Sequence, residues 1–224
     1  MRARDGKART VIAGYRGKAL VFMAAMLVSG MIGAQSANPY ARPPTGNAVQ
    51  TKGSNMDDLT SFATAGARIL DSKLVDIAGD GRGGAVLVLD PVSTSPVRLG
   101  EGPAREVVIL LRNAEGHLER FASNKHLVPC GTCGGVAGDP YGYMRVANGQ
   151  FTIIIGGGSR ERWTDEYTFA YVGDKKDWFV SSVVRKVVDT ETDREKRVDL
   201  GVKELGVVSF KDFDPGKLPE VTLR

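Results

Sequence analysis

The feature that most limits how this chain can fold is the alternation of apolar and polar residues along most of the sequence after Ala67. Many of the apolar positions are Val or Ile, whose branched side chains suit the pleated surface of a sheet. Asn148-Gly149 lies between two such segments and is typical of a two-residue hairpin turn. The pattern therefore predicts an all-β fold with minor α content, built as a meander of antiparallel hairpins.

Individual segments refine this prediction. The apolar run within Glu106–Arg112 predicts a strand buried on both faces, and Tyr167, Phe169 and Tyr171 form an aromatic stripe on one face of another strand. The run 156–159 predicts a bulge or wide turn, and the polar segment 189–197 predicts a solvated loop. A β-sandwich and a small, irregular propeller-like arrangement both fit, whereas a doubly wound α/β sheet does not. Residues 57–70 are a marginal helix candidate.

The first 37 residues predict a secretion signal. Six basic residues are opposed only by Asp5, and an uncharged apolar run from Ala19 to Gly33 leads to small residues suited to cleavage. This run is slightly short of the roughly 20 apolar residues that span a bilayer, so cleavage is favoured over retention as a membrane anchor. We therefore expect a periplasmic or secreted mature protein.

The rest of the chain divides into a flexible linker at 38–56, rich in Pro, Gly and polar residues, and a single β-rich globular domain at 57–224. The whole chain has 30 Lys+Arg and 26 Asp+Glu, and removing the basic signal leaves a net charge of about −1. A near-neutral chain has no general attraction for nucleic acid or anionic lipid. We expect no nucleic-acid partner and no membrane span after cleavage.

The loop 128–143 contains both cysteines, Cys130 and Cys133, among five glycines and two prolines. In an oxidising compartment their CxxC spacing predicts a disulfide that pins the loop. A redox-active pair is less favoured because no helix begins after Gly134 to lower the pKa of a thiolate. Zinc held by the cysteines with His126 and His117 is a third interpretation.

The loop and the neighbouring Arg/Trp strand supply the predicted binding surface, and we predict no catalytic residue. Arginine and aromatic side chains are the usual anchors of protein interfaces. The candidates are Asp139, Tyr141, Arg160, Arg162 and Trp163. No Ser/His/Asp or Cys/His arrangement is legible, which makes an enzyme the less favoured class.

The turn at 76–84 has the outline of a calcium loop, with Asp76 and Asp80 as weak candidate ligands. Ala78 at the third position offers no oxygen, and Leu87 stands where an EF-hand has glutamate. A plain hairpin turn is therefore favoured, and weak calcium binding stays open as the alternative.

Several motifs occur together: the turn 76–82, the CxxCGGxxGDP[FY] pattern at 130–141, the segment 157–163, the dipeptide Asp177-Trp178 and the segment 207–214. With them the chain resembles a family of uncharacterised exported β-rich proteins of Gram-negative bacteria. The resemblance implies an exported β-rich domain and brings no assigned activity. That family's glycine turn is more acidic, so Ala78 and Gly84 argue further against calcium.

These observations favour a periplasmic, non-enzymatic binding or structural protein that uses the disulfide-pinned loop and has a partner in the cell envelope. Its organisation is also loosely similar to small secreted β-proteins that block cell-wall-degrading enzymes with a rigid loop. An inhibitor or immunity-type protein against an envelope-directed lytic enzyme is therefore one alternative. A metal- or thiol-dependent envelope enzyme is the other.

Overall fold

The structure, a computed structural model, describes residues 57–93 and 96–223. These residues belong to the second of the two compact units of the chain, 38–224. The predicted signal peptide at 1–37 and the predicted linker at 38–56 lie outside the described residues.

The first sheet has four antiparallel strands in chain order: β1 Arg68–Val75, β2 Gly84–Asp90, β3 Arg105–Arg112 and β4 Leu118–Val128. Because successive side chains alternate between faces, Val86 and Val88 face one core while Leu87 faces another. The central strands β2 and β3 are buried on both faces, which confirms that prediction for 106–112.

The second sheet has five antiparallel strands, again in chain order: β5 Tyr141–Ala147, β6 Gln150–Gly158, β7 Glu161–Val172, β8 Asp177–Asp189 and β9 Glu195–Gly201. The predicted Asn148-Gly149 turn joins β5 to β6, with Gly149 at φ 72°, where glycine avoids the steric cost of a side chain.

One core lies between the two sheets. Its members include Val107 and Ile109 from β3 and Phe151, Tyr167 and Phe169 from the second sheet. Two sheets facing one shared core form a β-sandwich, and the predicted all-β class is confirmed. The aromatic stripe is confirmed: Tyr167 and Phe169 are fully buried, and Tyr171 is partly buried against the same core.

The segment after β9 closes one side of the sandwich. Phe210 and Phe213 insert into the shared core, and Phe210 N donates to the Trp178 carbonyl at 2.8 Å. Buried Asn124 of β4 donates from Nδ2 to the carbonyls of Phe210 (2.5 Å) and Phe213 (2.8 Å). These bonds satisfy carbonyls that would otherwise be buried without partners.

Two short helices, α1 Asp57–Thr60 and α2 Val202–Leu205, complete the described secondary structure together with three 3₁₀ turns. Leu59 of α1 packs on the outer face of the first sheet. The helix candidate at 57–70 is therefore only one turn long, and β1 begins at Arg68. Within the described residues, no helix is long and apolar enough to cross a membrane.

Two local predictions were wrong. The glycines at 156–158 continue β6 in register with β7, and only Ser159 of the predicted run lies in the turn. Glycine is needed at 157 for another reason, because a Cβ there would lie 2.8 Å from both the Trp163 ring and the Gly134 carbonyl oxygen. The polar segment 189–197 is a loop only to residue 194, since β9 begins at Glu195 and adds an edge strand whose polar residues face solvent.

The meander brings four connections to one end of the sandwich, which we call the cysteine end. They are the loops 91–104, 129–140 and 190–194 and the turn 159–160. The calcium-like turn and the Asn148-Gly149 turn lie at the opposite end, because antiparallel strands place alternate connections at opposite ends.

Candidate functional site

The cysteine loop, residues 129–140, is the crossover between the two sheets and is hydrogen-bonded on both sides. On one side, Gly100 N donates to the Thr132 carbonyl at 2.9 Å. On the other, Gly158 N donates to the Gly134 carbonyl at 2.9 Å and Gly156 N to that of Pro140 at 2.8 Å. The loop is therefore a fixed joint between the sheets.

A disulfide joins Cys130 to Cys133, as the CxxC spacing predicted. Cys130 Sγ lies 3.0 Å from the Glu101 carbonyl oxygen, which also accepts a hydrogen bond from the Thr132 hydroxyl. A disulfide sulfur has no hydrogen to donate, so the sulfur contact is one of packing. In this oxidised form neither cysteine is a thiolate that can bind zinc.

The side chain of Arg105, at the start of β3, fastens this joint. It is only 2 % exposed, and it donates from Nε to Asp90 (2.9 Å) and from both terminal nitrogens to Asp139 (2.5 and 2.6 Å). Arg68 adds a second hydrogen bond to Asp90 at 2.7 Å. Desolvation by burial opposes ionisation of Asp90, but the hydrogen bonds from Arg105 and Arg68 outweigh it and lower its pKa.

We expect Arg105→Met to lower the free energy of unfolding by about 3 kcal/mol, since it leaves two carboxylates without their shared cation. The value falls at the low end for a buried pair because the Asp139 side chain is 46 % exposed. Arg145→Met is the matched control, because its pair with Glu166 is exposed and worth at most about 1 kcal/mol. If urea unfolding gave the two variants equal free energies of unfolding, the stabilising role of Arg105 in the joint would be contradicted.

We expect Cys130→Ser to lower the free energy of unfolding by about 2–4 kcal/mol, the usual effect of losing a disulfide, or by somewhat less. The smaller value would follow from the short loop that this disulfide closes. Thermal melting of the wild-type protein with and without reductant checks the same effect. A melting temperature that reductant leaves unchanged would show that the disulfide does not stabilise the fold.

Two of the predicted binding residues belong to this joint. Asp139 is held by Arg105, and it also accepts a hydrogen bond from Tyr141 N at 2.9 Å. The Tyr141 ring packs against the shared core, and its hydroxyl donates to Asp71 of β1 at 2.8 Å. Both side chains therefore connect the sheets to each other, and whether they also bind a partner stays a prediction.

Arg160 lies in the turn before β7, where it donates twice to Asp189 at the end of β8 (3.1 and 2.9 Å). Asp189 also accepts hydrogen bonds from the amides of Glu191 and Thr192. The Arg160 bond, followed by the amide of Glu191, lowers the pKa of Asp189 to about 2. Arg160 thus fixes the 190–194 loop.

This carboxylate makes a specific prediction about acid. Its pKa is lower in the folded protein than the unfolded value of about 3.9, so its stabilising effect is present above about pH 4 and is lost between about pH 4 and pH 2. We expect Asp189→Asn to be less stable than wild type near neutral pH, and the difference in urea midpoint to shrink towards pH 2. Asp174→Asn, on the exposed β7–β8 turn, should show no such convergence. A constant difference would contradict the assignment.

The remaining two predicted residues lie on opposite faces of β7. Arg162 pairs with Gly158 and Val188, and it lies on the face turned away from the core. Trp163, one residue later, lies on the core face, where it packs against the shared core. The structure therefore brings the loop and this strand together but does not gather all five predicted side chains on one surface.

A cleft of 430 Å³ lies beside the joint, and we call it the Trp163 cleft. It opens between the end of β4 and the core face of β7 and β8, and the C-terminal segment forms one wall. Its lining includes His126, Pro129, Glu161, Trp163, Asp165, Tyr167, Arg185, Pro215 and Glu220.

A polar triad, in which Asp165 and Tyr167 are buried and Arg185 is partly exposed, forms part of the lining. Asp165 accepts hydrogen bonds from Arg185 Nε (3.1 Å) and Nη2 (3.0 Å), and the Tyr167 hydroxyl donates to it at 2.8 Å. Burial, followed by the negative charge of Asp165, raises the pKa of Tyr167, so the hydroxyl remains a donor. Arg185 also donates to the Pro219 carbonyl at 2.8 Å and so holds the C-terminal wall.

Neither histidine is placed for the predicted zinc site. His126 is exposed beside the cleft, and His117 lies before the other end of β4, about 30 Å away at 3.3 Å per residue. One ion cannot contact both side chains. Among residues 57–93 and 96–223, no group of three or more His, Cys, Asp or Glu side chains is placed to hold a metal.

The calcium candidates are engaged within their own turn. Asp76 accepts hydrogen bonds from the amides of Asp80 (3.2 Å) and Gly81 (2.7 Å). Asp80 accepts from the Arg82 guanidinium at 2.8 and 2.6 Å, and these bonds lower the pKa of Asp80. The arrangement is that of a hairpin turn stabilised by its own side chains.

No family model, no curated protein and no solved structure matches the chain. The resemblance to exported β-rich proteins therefore stays a prediction.

Sequence reasoning missed Arg105 and the Asp165–Arg185–Tyr167 triad. Arg105 looks like the ordinary polar boundary of an apolar strand. The triad left a usable signal, because Asp165 occupies a position between Trp163 and Tyr167 in the alternation of β7, where an apolar side chain is expected. A charged residue at a core-facing position requires a buried partner, and Arg185 is directly opposite on β8.

Proposed function

We propose that this chain is an exported, non-enzymatic binding protein whose ligand site is the Trp163 cleft, supported by the disulfide-pinned loop. The cleft volume lies within the range of about 300–1,000 Å³ that small-ligand sites have. The disulfide is compatible with an oxidising compartment such as the periplasm. The partner in the envelope would supply the group that enters the cleft.

The observation that carries the proposal is the charge of the cleft. Asp165 and Arg185 neutralise each other, whereas Glu161 and Glu220 form no ion pair within the described residues. Both glutamates are exposed, and Trp163 belongs to the same lining. Carboxylates beside an aromatic ring attract a positively charged group through charge and through the negative face of the ring. The cleft therefore suits an amino or guanidinium group.

A binding role fits the lining better than catalysis does. The lining contains neither serine nor cysteine, and neither its one threonine, Thr222, nor the His126 side chain forms a hydrogen bond with the described residues. The one buried carboxylate, Asp165, already accepts bonds from Arg185 and Tyr167. A nucleophile with an adjacent base, which covalent catalysis requires, is not among these groups.

Calorimetric titration of the full chain with Nα-acetyl-lysine amide tests the proposal, with Nα,Nε-diacetyl-lysine amide as the uncharged probe. We expect saturable binding of the charged probe alone, and a loss of about tenfold in affinity for Glu161→Gln or Glu220→Gln, since a charge-assisted hydrogen bond is worth about 1.5–3 kcal/mol. These changes leave Trp163, which packs on Gly157, untouched. Glu115→Gln, in the β3–β4 turn at the opposite end, is the control.

Equal binding of the uncharged diacetylated probe, or unchanged affinity in both cleft variants, would contradict a cationic ligand in this cleft. Saturable binding that only Glu115→Gln weakened would place the site at the opposite end of the sandwich.

One observation favours the inhibitor as a second candidate. Val136, in the 3₁₀ turn of the cysteine loop, is 77 % exposed, although its loop is fixed on both sides. Leu99, in the adjacent loop that is hydrogen-bonded to it, is 69 % exposed. A rigid loop with an apolar tip binds a cleft at little cost in conformational entropy.

If the cysteine loop blocks a lytic enzyme, the protein should slow the clearing of a cell-wall suspension by a muramidase, an amidase or an endopeptidase. Val136→Asp should abolish this effect, because it would place a charge in an apolar contact. Val207→Asp is the control, since Val207 is 68 % exposed and lies outside the cysteine end. Full clearing rates with all three enzyme classes would exclude this candidate.

A further inference from the structure

The face of the second sheet that is turned away from the core carries a groove of 320 Å³, which we call the outer groove. It is separate from the Trp163 cleft, because the two are lined by opposite faces of β7. The residues that matter for its chemistry are Arg162, Glu166, Lys186 and Arg197.

Strand register places cations side by side in this groove. Lys186 of β8 pairs directly with Arg197 of β9 and, on its other side, with Thr164 of β7. Arg162 is two residues before Thr164 and so lies diagonally across from Lys186 on the same face. Like charges directly opposite each other destabilise a sheet.

Two of the three cations in the groove, Lys186 and Arg197, form ion pairs with acidic neighbours. Lys186 pairs with Glu195 and Arg197 with Asp199, both at 2.7 Å, while Glu166 is occupied by Arg145 of β5. The Lys186 and Arg197 pairs are exposed surface pairs of the kind that contribute little to stability. They are therefore able to rearrange around a bound anion.

Arg162 is the exception. Its side chain is partly buried, and it forms neither an ion pair nor a hydrogen bond with any residue in 57–93 or 96–223. A guanidinium that has lost part of its water without gaining an acceptor is unfavourable by itself. An acceptor from outside the described chain would remove that cost.

The groove leaves room for such an acceptor, because Arg162 and Thr164 are among its lining residues. The positions of β6 that pair with these two residues are Gly158 and Gly156, so β6 adds no side chain there, and the Glu161 carbonyl oxygen occupies the space beside Gly158. An arginine with its forked donors beside an open space suits a planar or tetrahedral oxyanion.

We propose that the outer groove is a binding site for a phosphate-type oxyanion, held by Arg162 and attracted by Lys186 and Arg197. The inference is independent of the proposed function, since it concerns the opposite face of the sheet and a ligand of opposite charge. Arg162 supplies paired N–H donors to the anion, and the two other cations supply charge.

Amide NMR of the full chain, titrated with inorganic phosphate and with chloride at equal ionic strength, tests this proposal. We expect saturable shifts with phosphate only, centred on Arg162, Thr164 and Lys186. Arg162→Gln should weaken phosphate binding at least tenfold, Arg162→Lys less, and Lys186→Gln several-fold. Arg82→Gln, in the turn at the opposite end, is the control and should leave the affinity unchanged.

Unchanged spectra in phosphate, identical shifts in chloride, or full affinity in Arg162→Gln would overturn the proposal. Melting temperatures show whether each variant is folded. A smaller loss of phosphate affinity in Arg162→Lys than in Arg162→Gln separates anion binding from a packing defect, because lysine keeps the positive charge. Sedimentation with phosphatidylglycerol vesicles, but not phosphatidylcholine vesicles, in the absence of any phosphate response would identify a membrane surface as the partner and would also overturn it.

Discussion

The structure depends on one buried cation. Arg105 begins a strand of the first sheet, yet its guanidinium holds Asp139, which lies in the crossover to the second sheet. A charge that is 2 % exposed is tolerated only with partners that replace its water, and Asp90 and Asp139 together do so. A Cβ on Gly131 would lie 2.9 Å from this guanidinium, so the glycine is what lets the loop approach it. Arg105 thus fastens the first sheet to the crossover, together with the backbone hydrogen bonds of the cysteine loop.

This constraint changes how the disulfide is understood. A bond between residues three apart closes a short loop and removes less freedom from the unfolded chain than a bond between distant residues would. The same loop is held by backbone hydrogen bonds to 100 and 158 and by Arg105, which connect residues far apart in sequence. The disulfide therefore shapes the loop locally, while the ion pair and the hydrogen bonds attach it to both sheets. A loop fastened in this way can support one wall of a cleft, because Trp163 packs on Gly157 beside Gly134.

Alternation and turn residues were enough to predict the all-β class, most strand positions and the disulfide, because these follow from spacing along the chain. What could not be predicted depends on pairing between distant segments. Arg105 and Asp139 are 34 residues apart, and no local pattern links them. β9 was missed because an exposed edge strand needs no apolar alternation on its solvent side. Of the five predicted binding residues, Asp139 and Tyr141 belong to the joint and Arg160 fixes the 190–194 loop. Only Trp163 lines the cleft.

The two faces of the second sheet differ in their charged residues, because successive side chains of β7 point to opposite faces. Along β7, the residues Glu161, Trp163 and Asp165 face the cleft, whereas Arg162, Thr164 and Glu166 face the outer groove. A shift of one residue in register would exchange the two sets and place Arg162 against the core. The register is fixed by the residues of β7 that are buried in the shared core, Tyr167 and Phe169, because a slip would turn both towards solvent. Gly157 permits the close approach of Trp163, while these buried aromatic residues decide which charges each face of the sheet presents.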